Sequence, residues 1–131
     1  WITPNHFEKK PKIEIDLLKN SMQVLENDQS SKMLITHYQF ISAILNENLN
    51  IPNRWYYPNN TFPSSSQNKY YGNYLKGFEK KIKINKIVNL YVLESFPGEF
   101  SFLNLNDLLG SDCFQKEKLN EIFYRIKISK C

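Results

Sequence analysis

One segment restricts the fold of this chain more than any other. Ile87-Val88-Asn89-Leu90-Tyr91-Val92-Leu93 is almost continuously apolar, with no polar residue at every second position to meet water. A strand of that kind is covered on both faces, which places it in the middle of a sheet with helices on either side. Its neighbours in sequence supply the helices. From Ile13 the apolar residues Leu17, Leu18, Val24 and Leu25 recur with helical spacing, Ser21 and Met22 fill the same side, and Pro11 marks the start. Tyr71, Tyr74, Leu75, Phe78 and Ile82 repeat at three and four residues while Lys76, Lys80, Lys81 and Lys83 take the opposite side or the rim, which predicts a basic amphipathic helix over 70–85.

The remaining elements are shorter. Met33-Leu34-Ile35-Thr36 reads as a buried strand that leads through His37-Tyr38-Gln39 into a helical stretch at 40–45. Arg54-Trp55-Tyr56-Tyr57, between Pro52 and Pro58, reads as a short strand, and 59–68 as an exposed loop. Residues 100–105 suit a brief strand or wall, and 106–110 one helical turn. Ile122, Tyr124, Ile126 and Ile128 alternate with other residues, as expected of a half-exposed strand near a sheet edge. The expected architecture is an α/β fold: a small mixed β-sheet of four to five strands packed by helices.

With 131 residues, 41% of them hydrophobic, the chain suits one core rather than two, so residues 13–131 are expected to form a single α/β domain. Residues 1–12, with Pro4 and Pro11 and no periodicity, read as a tether. Trp1 followed by His6, Lys9, Lys10 and Lys12 suits the exit of a transmembrane helix, giving a membrane-associated chain; a trimmed chain start explains the same residues. Two cysteines exclude a disulfide-rich scaffold and a four-cysteine zinc site, and two distant histidines offer no metal pair. The four glycines form no phosphate-binding fingerprint, so neither a metal nor a cofactor is expected.

The formal charge is +4, and fifteen of the seventeen basic residues are Lys. Nucleic-acid interfaces favour the planar fork of Arg, so this bias suits a solvated face or an anionic membrane surface better than a nucleic acid.

Ligands of open α/β sheets gather beyond the carboxyl ends of strands, which singles out His37, Tyr38 and Gln39; the plainer alternative is that they cap the sheet by hydrogen bonds. Arg54, Trp55 and Tyr57 supply aromatic faces and a guanidinium suited to a sugar or peptide, although alternate residues of a strand point to opposite faces and half of such a cluster is core. Cys113 and Cys131 flank the last strand and, if oxidised, would close a loop worth roughly 3 kcal/mol; reduced, they are ordinary small side chains.

Met33-Leu-Ile-Thr-His-Tyr-Gln-Phe-Ile-Ser-Ala-Ile-Leu45, Pro52-Asn-Arg-Trp-Tyr-Tyr57, Thr61-Phe-Pro63, and the pattern from Asp112-Cys-Phe114 to Lys130-Cys131 carry a resemblance. Together they resemble the soluble C-terminal region of bacterial multi-spanning membrane proteins similar to dolichyl-phosphate-mannose-protein mannosyltransferases. The resemblance implies a non-catalytic domain that positions a lipid-linked sugar or its acceptor near the bilayer. In such enzymes the catalytic acid lies in a loop near the start of the membrane portion, to which nothing here corresponds, so no catalytic residue carries over. It also implies an extracytoplasmic location, where a Cys113–Cys131 bridge is chemically permitted. Lys9, Lys10 and Lys12 beside a membrane exit favour the opposite side. The rival readings are a free-standing α/β binding or interaction module and, third, a basic nucleic-acid binder.

Overall fold

The structure is a computed structural model that describes residues 11–38, 40–52, 63, 67–95, 98–101, 103–109 and 113–129. In chain order the elements are α1 (Pro11–Asn27), β1 (Lys32–Thr36), α2 (Ile41–Leu45), α3 (Tyr71–Ile84), β2 (Asn89–Leu93), α4 (Leu105–Leu109), β3 (Cys113–Asn120) and β4 (Phe123–Ser129). The strands form one mixed sheet in the order β1-β2-β4-β3, with β1 and β2 parallel and the other neighbours antiparallel. This is the α/β fold with a four-stranded mixed sheet that the hydrophobic pattern predicts.

Alternation along each strand divides the core in two. Met33 and Ile35 of β1, Leu90 and Val92 of β2 and Ile126 of β4 face α3 and α4, where Phe78, Ile82, Leu108 and Leu109 meet them. Leu34, Tyr91, Leu93 and Phe123 point the other way, against Leu18 and Leu25 of α1 and Ile41 of α2. The register makes the two sets continuous: Met33 lies beside Leu90, and Leu90 beside Ile126. Tyr91 and Phe123 stack within the second core, ring centroids 5.3 Å apart. The apolar run centred on β2 therefore lies inside the sheet and is buried on both faces.

The last strand lies next to a sheet edge, as its pattern suggests. β4 is an interior strand, and the edge is β3, which the hydrophobic pattern does not reveal. Cys113-Phe-Gln-Lys-Glu-Lys-Leu-Asn120 reads as polar because most of its side chains meet water. Charged side chains on an edge strand also discourage pairing with another chain. Ile122 is not in the strand either: it sits fully buried in the turn, while its N–H is held by Asn120 Oδ1 at 3.0 Å. Asn120 also donates through Nδ2 to Asn20 and Ser21, both at 3.1 Å, which fastens the β3–β4 hairpin to α1. Of residues 100–105, those described form a turn leading into α4, so the wall alternative holds through the buried Phe100. The expected strand at 54–57 and most of the loop at 59–68 lie outside the described residues.

The outer edge of β1 is covered. Leu34 N–H donates to the Leu49 carbonyl at 3.0 Å, and Asn50 Nδ2 to the Lys32 carbonyl at 3.0 Å. Asn46 and Asn50 both adopt positive φ, a conformation asparagine tolerates better than most residues, and so let the chain turn back along the strand.

Two polar devices fix the helices. Asp28, just after α1, accepts from Ser30 N–H at 2.8 Å, from the Ser30 hydroxyl, from Asn89 Nδ2 at 2.9 Å and from Tyr91 Oη at 2.6 Å. Burial opposes the charge, but the donors from Ser30, Tyr91 and Asn89 outweigh it and hold the carboxyl at about 2, below its ordinary 3.8. At the end of α3, Ile87 N–H reaches the Ile82 carbonyl at 3.0 Å and Lys86 N–H the Lys83 carbonyl at 3.3 Å. That is a Schellman ending, with Lys86 at φ 51 in the left-handed position where glycine is usual.

Both devices have measurable consequences for stability. The Asp28 contribution is present above pH 3.8 and lost as pH falls towards about 2; Asp28→Asn should lower neutral-pH stability by about 1–2 kcal/mol, with the gap closing at low pH, in urea unfolding followed by circular dichroism. Lys86→Gly should raise stability by about 1 kcal/mol in the same assay, because it relieves a left-handed side-chain conformation.

Candidate functional site

β1 and β2 run parallel and end level, Thr36 beside Leu93. The residues that follow each strand therefore emerge at one edge of the sheet, where α/β proteins place their ligands. After β1 the Thr36 hydroxyl accepts Tyr38 N–H at 3.0 Å, a tight turn that sends consecutive side chains apart.

Tyr38 goes into the α1–α2 core. It is 3% exposed, and its hydroxyl donates to Glu14 Oε1 at 3.2 Å. Burial, together with the charges of Glu14 and Glu99 and the bond to Glu14, pushes its phenol far above the ordinary range. Tyr38 thus ties the end of β1 to α1 from within the core. His37 packs edge-on against Phe100, with centroids 5.4 Å apart, and its Nδ1 lies 3.7 Å from Glu99 Oε2. Gln39, Arg54, Trp55 and Tyr57 lie outside the described residues.

The residues after β2 complete the cluster. Ser95 donates to Glu99 twice, from its N–H to Oε1 at 2.9 Å and from its hydroxyl to Oε2. Glu94, 3% exposed, accepts from Phe100 N–H at 2.8 Å and from Gly98 N–H at 3.3 Å. Gly98 has φ +87, so a side chain there would strain the turn that wraps this carboxylate. Beneath Glu94 a cavity of 180 Å³ is lined by Val92, Phe100, Lys116 and Tyr124 among others. Lys116 Nζ lies 4.5 Å from the centroid of the Tyr124 ring, and burial and then the Glu94 charge raise the Tyr124 phenol. The cavity is smaller than the roughly 300 Å³ at which small-molecule pockets begin, so a ligand larger than a few waters would lie across its rim.

Glu94 and Glu99 thus give this edge two carboxyl groups, the first almost wholly shielded from water. An acceptor-rich edge suits ligands that present hydroxyl or ammonium donors and repels phosphate. The Ser95 hydroxyl gives its proton to Glu99 Oε2, the same oxygen that lies 3.7 Å from His37 Nδ1. Among the described residues, no three His, Cys, Asp or Glu side chains gather to hold a metal.

Glu94, Ser95 and Glu99 are the residues that sequence reasoning missed. The signal was available, since the rule that singles out His37 at the end of β1 applies equally to the end of β2. Glu14 had a subtler one: Glu14, Leu18, Ser21 and Leu25 share the buried stripe of α1, where a carboxylate is out of place. Cys113 is disulfide-bonded, and Cys131, the only other cysteine in the chain, lies outside the described residues.

Glu14 generates a stability test. Its carboxyl is fully buried, Oε2 has no hydrogen-bond partner among the described residues, and burial raises its pKa above the ordinary 4.5 despite the bond from Tyr38. The wild-type chain is then most stable below pH 4.5 with respect to this group and loses stability as pH rises through the raised value. Glu14→Gln, which keeps an acceptor for Tyr38 without the charge, should stabilise the chain at neutral pH and lose that advantage at pH 4, in urea titrations at the two pH values.

Compared with family models, with characterised proteins and with solved structures, the chain matches none.

Proposed function

We propose that this chain is a non-catalytic domain of a membrane glycosyltransferase-like protein, and that it holds a sugar-bearing substrate by its hydroxyls at the carboxyl edge of β1 and β2. The observation that carries the reading is the cluster of His37, Glu94, Ser95 and Glu99 where two parallel strands end side by side. Carboxylates already oriented by backbone N–H groups accept hydroxyl protons without reorganising, the usual way a protein engages a neutral polyol. No helix of the described residues is long and apolar enough to cross a membrane, so attachment to a bilayer rests on other parts of the parent protein or on surface contact.

Titration with mannose and with N-acetylglucosamine, followed by amide chemical shifts, should move the signals of Ser95, Glu99 and Phe100 with weak, saturable affinity. Glu99→Ala should weaken binding about tenfold, the loss expected for a hydrogen bond to a charged group. Shifts that avoid these residues would defeat the reading, as would turnover of a glycosyl donor by the purified domain that is abolished by altering His37 or Glu99.

A further inference from the structure

The opposite end of the sheet has a different character. α3 stops at Ile84, which is 66% exposed, and the chain turns through Asn85 and Lys86 so that Val88, 45% exposed, comes up just before β2. Beside Val88, at the end of the molecule where α3 stops, runs a groove of 410 Å³ whose apolar lining is Ile82, Ile87, Val88 and Ile128. Lys83 and Lys86 stand on its rim. Lys76, Lys80 and Lys83, at four- and three-residue spacing, continue the basic character along one exposed face of α3, and Ile84 is a helical turn beyond Lys80.

A second cleft, of 440 Å³, adjoins this groove through Val88, Ile128 and Ser129 and adds the exposed Lys127. The acidic group in it, Asp28, is turned onto Ser30, Asn89 and Tyr91. Glu79, one turn back along α3, pairs with Lys83 at 2.7 Å. Two protruding branched side chains, an apolar groove and a surplus of lysine have the chemistry of a surface that enters the headgroup layer while contacting lipid phosphates.

We propose that this face rests on an anionic bilayer, with Ile84 and Val88 entering the headgroup region and Lys83 and Lys86 against the lipid phosphates. The inference deepens the membrane-proximal part of the reading above and rests on it. It also orients the sugar site. The five residues of β2 lie between Val88 of the groove and Glu94, about 20 Å at the usual rise per residue, so the His37 cluster faces away from the bilayer towards water. In that orientation the carboxyl edge receives the water-borne partner of the transfer, or a glycan long enough to extend from its carrier.

The geometry supplies a variant that separates binding from folding. Lys86 occupies a left-handed position that glycine adopts more easily, so Lys86→Gly removes a rim charge while easing the backbone. The experiment is flotation of the purified chain with vesicles of phosphatidylcholine alone and of phosphatidylcholine mixed with phosphatidylglycerol. Binding is expected only to the mixed vesicles and should weaken with added salt. Lys86→Gly should reduce it about fivefold, the share of one well-placed lysine. Ile84→Ser should reduce it, whereas Ile44→Ser, at another exposed isoleucine, on α2, should not. Equal binding to both vesicles, equal loss from Ile44→Ser and Ile84→Ser, or Ile84-dependent self-association with unchanged flotation would overturn the proposal, the last in favour of a second copy as the occupant. The vesicles carry no sugar, so a negative flotation result leaves the Ser95 and Glu99 shifts as an independent test of the sugar site.

Discussion

Burial of β1 and β2 on both faces is the constraint from which the rest follows. Every residue of β1 is buried, as are four of the five in β2, so neither strand has a wet side on which to place a polar group. Each face must be covered by helices, and the chain divides them accordingly, α1 and α2 on one side, α3 and α4 on the other. Polar chemistry can then leave the sheet only at its ends. The two ends differ because the residues flanking the strands differ: Thr36, His37, Glu94 and Ser95 at one, Lys86 and Val88 at the other.

The buried charges show how context decides whether such a group stabilises the fold. Asp28 is surrounded by donors and is held ionised by them. Lys32, 2% exposed, donates to Glu47 at 2.8 Å and to the Asp28 carbonyl, which secures the start of β1. Among the described residues Glu14 has a single donor, Tyr38, and an unpaired Oε2, and burial disfavours its ionised form. The first two fasten elements together. Glu14 brings a carboxyl close to the carboxyl ends of β1 and β2 only through Tyr38, whose own depth in the core makes it a support for the turn rather than part of the rim.

Half of the sheet could be read from spacing alone. The helix beginning near Pro11, the strand ending at Thr36, the basic helix ending near 85 and the central strand before Glu94 all have apolar patterns fixed by burial on a known period. β3 escaped because edge strands mix charge with sparse apolar residues, a pattern indistinguishable from a loop without its partner. β4 also carries charge, at Arg125 and Lys127, and lies next to that edge while paired on both sides. The site was legible at His37 and illegible at Glu99, whose part depends on a turn that folds it back onto Ser95 and towards His37.

By itself the sequence determined that the chain makes a two-sided α/β sheet, because apolar period and length are local properties that only such a sheet satisfies. Only the tertiary structure decided which polar residues meet. Strand order and the level ending of two parallel strands bring residues some sixty apart in sequence to one edge, and no local pattern carries that distance.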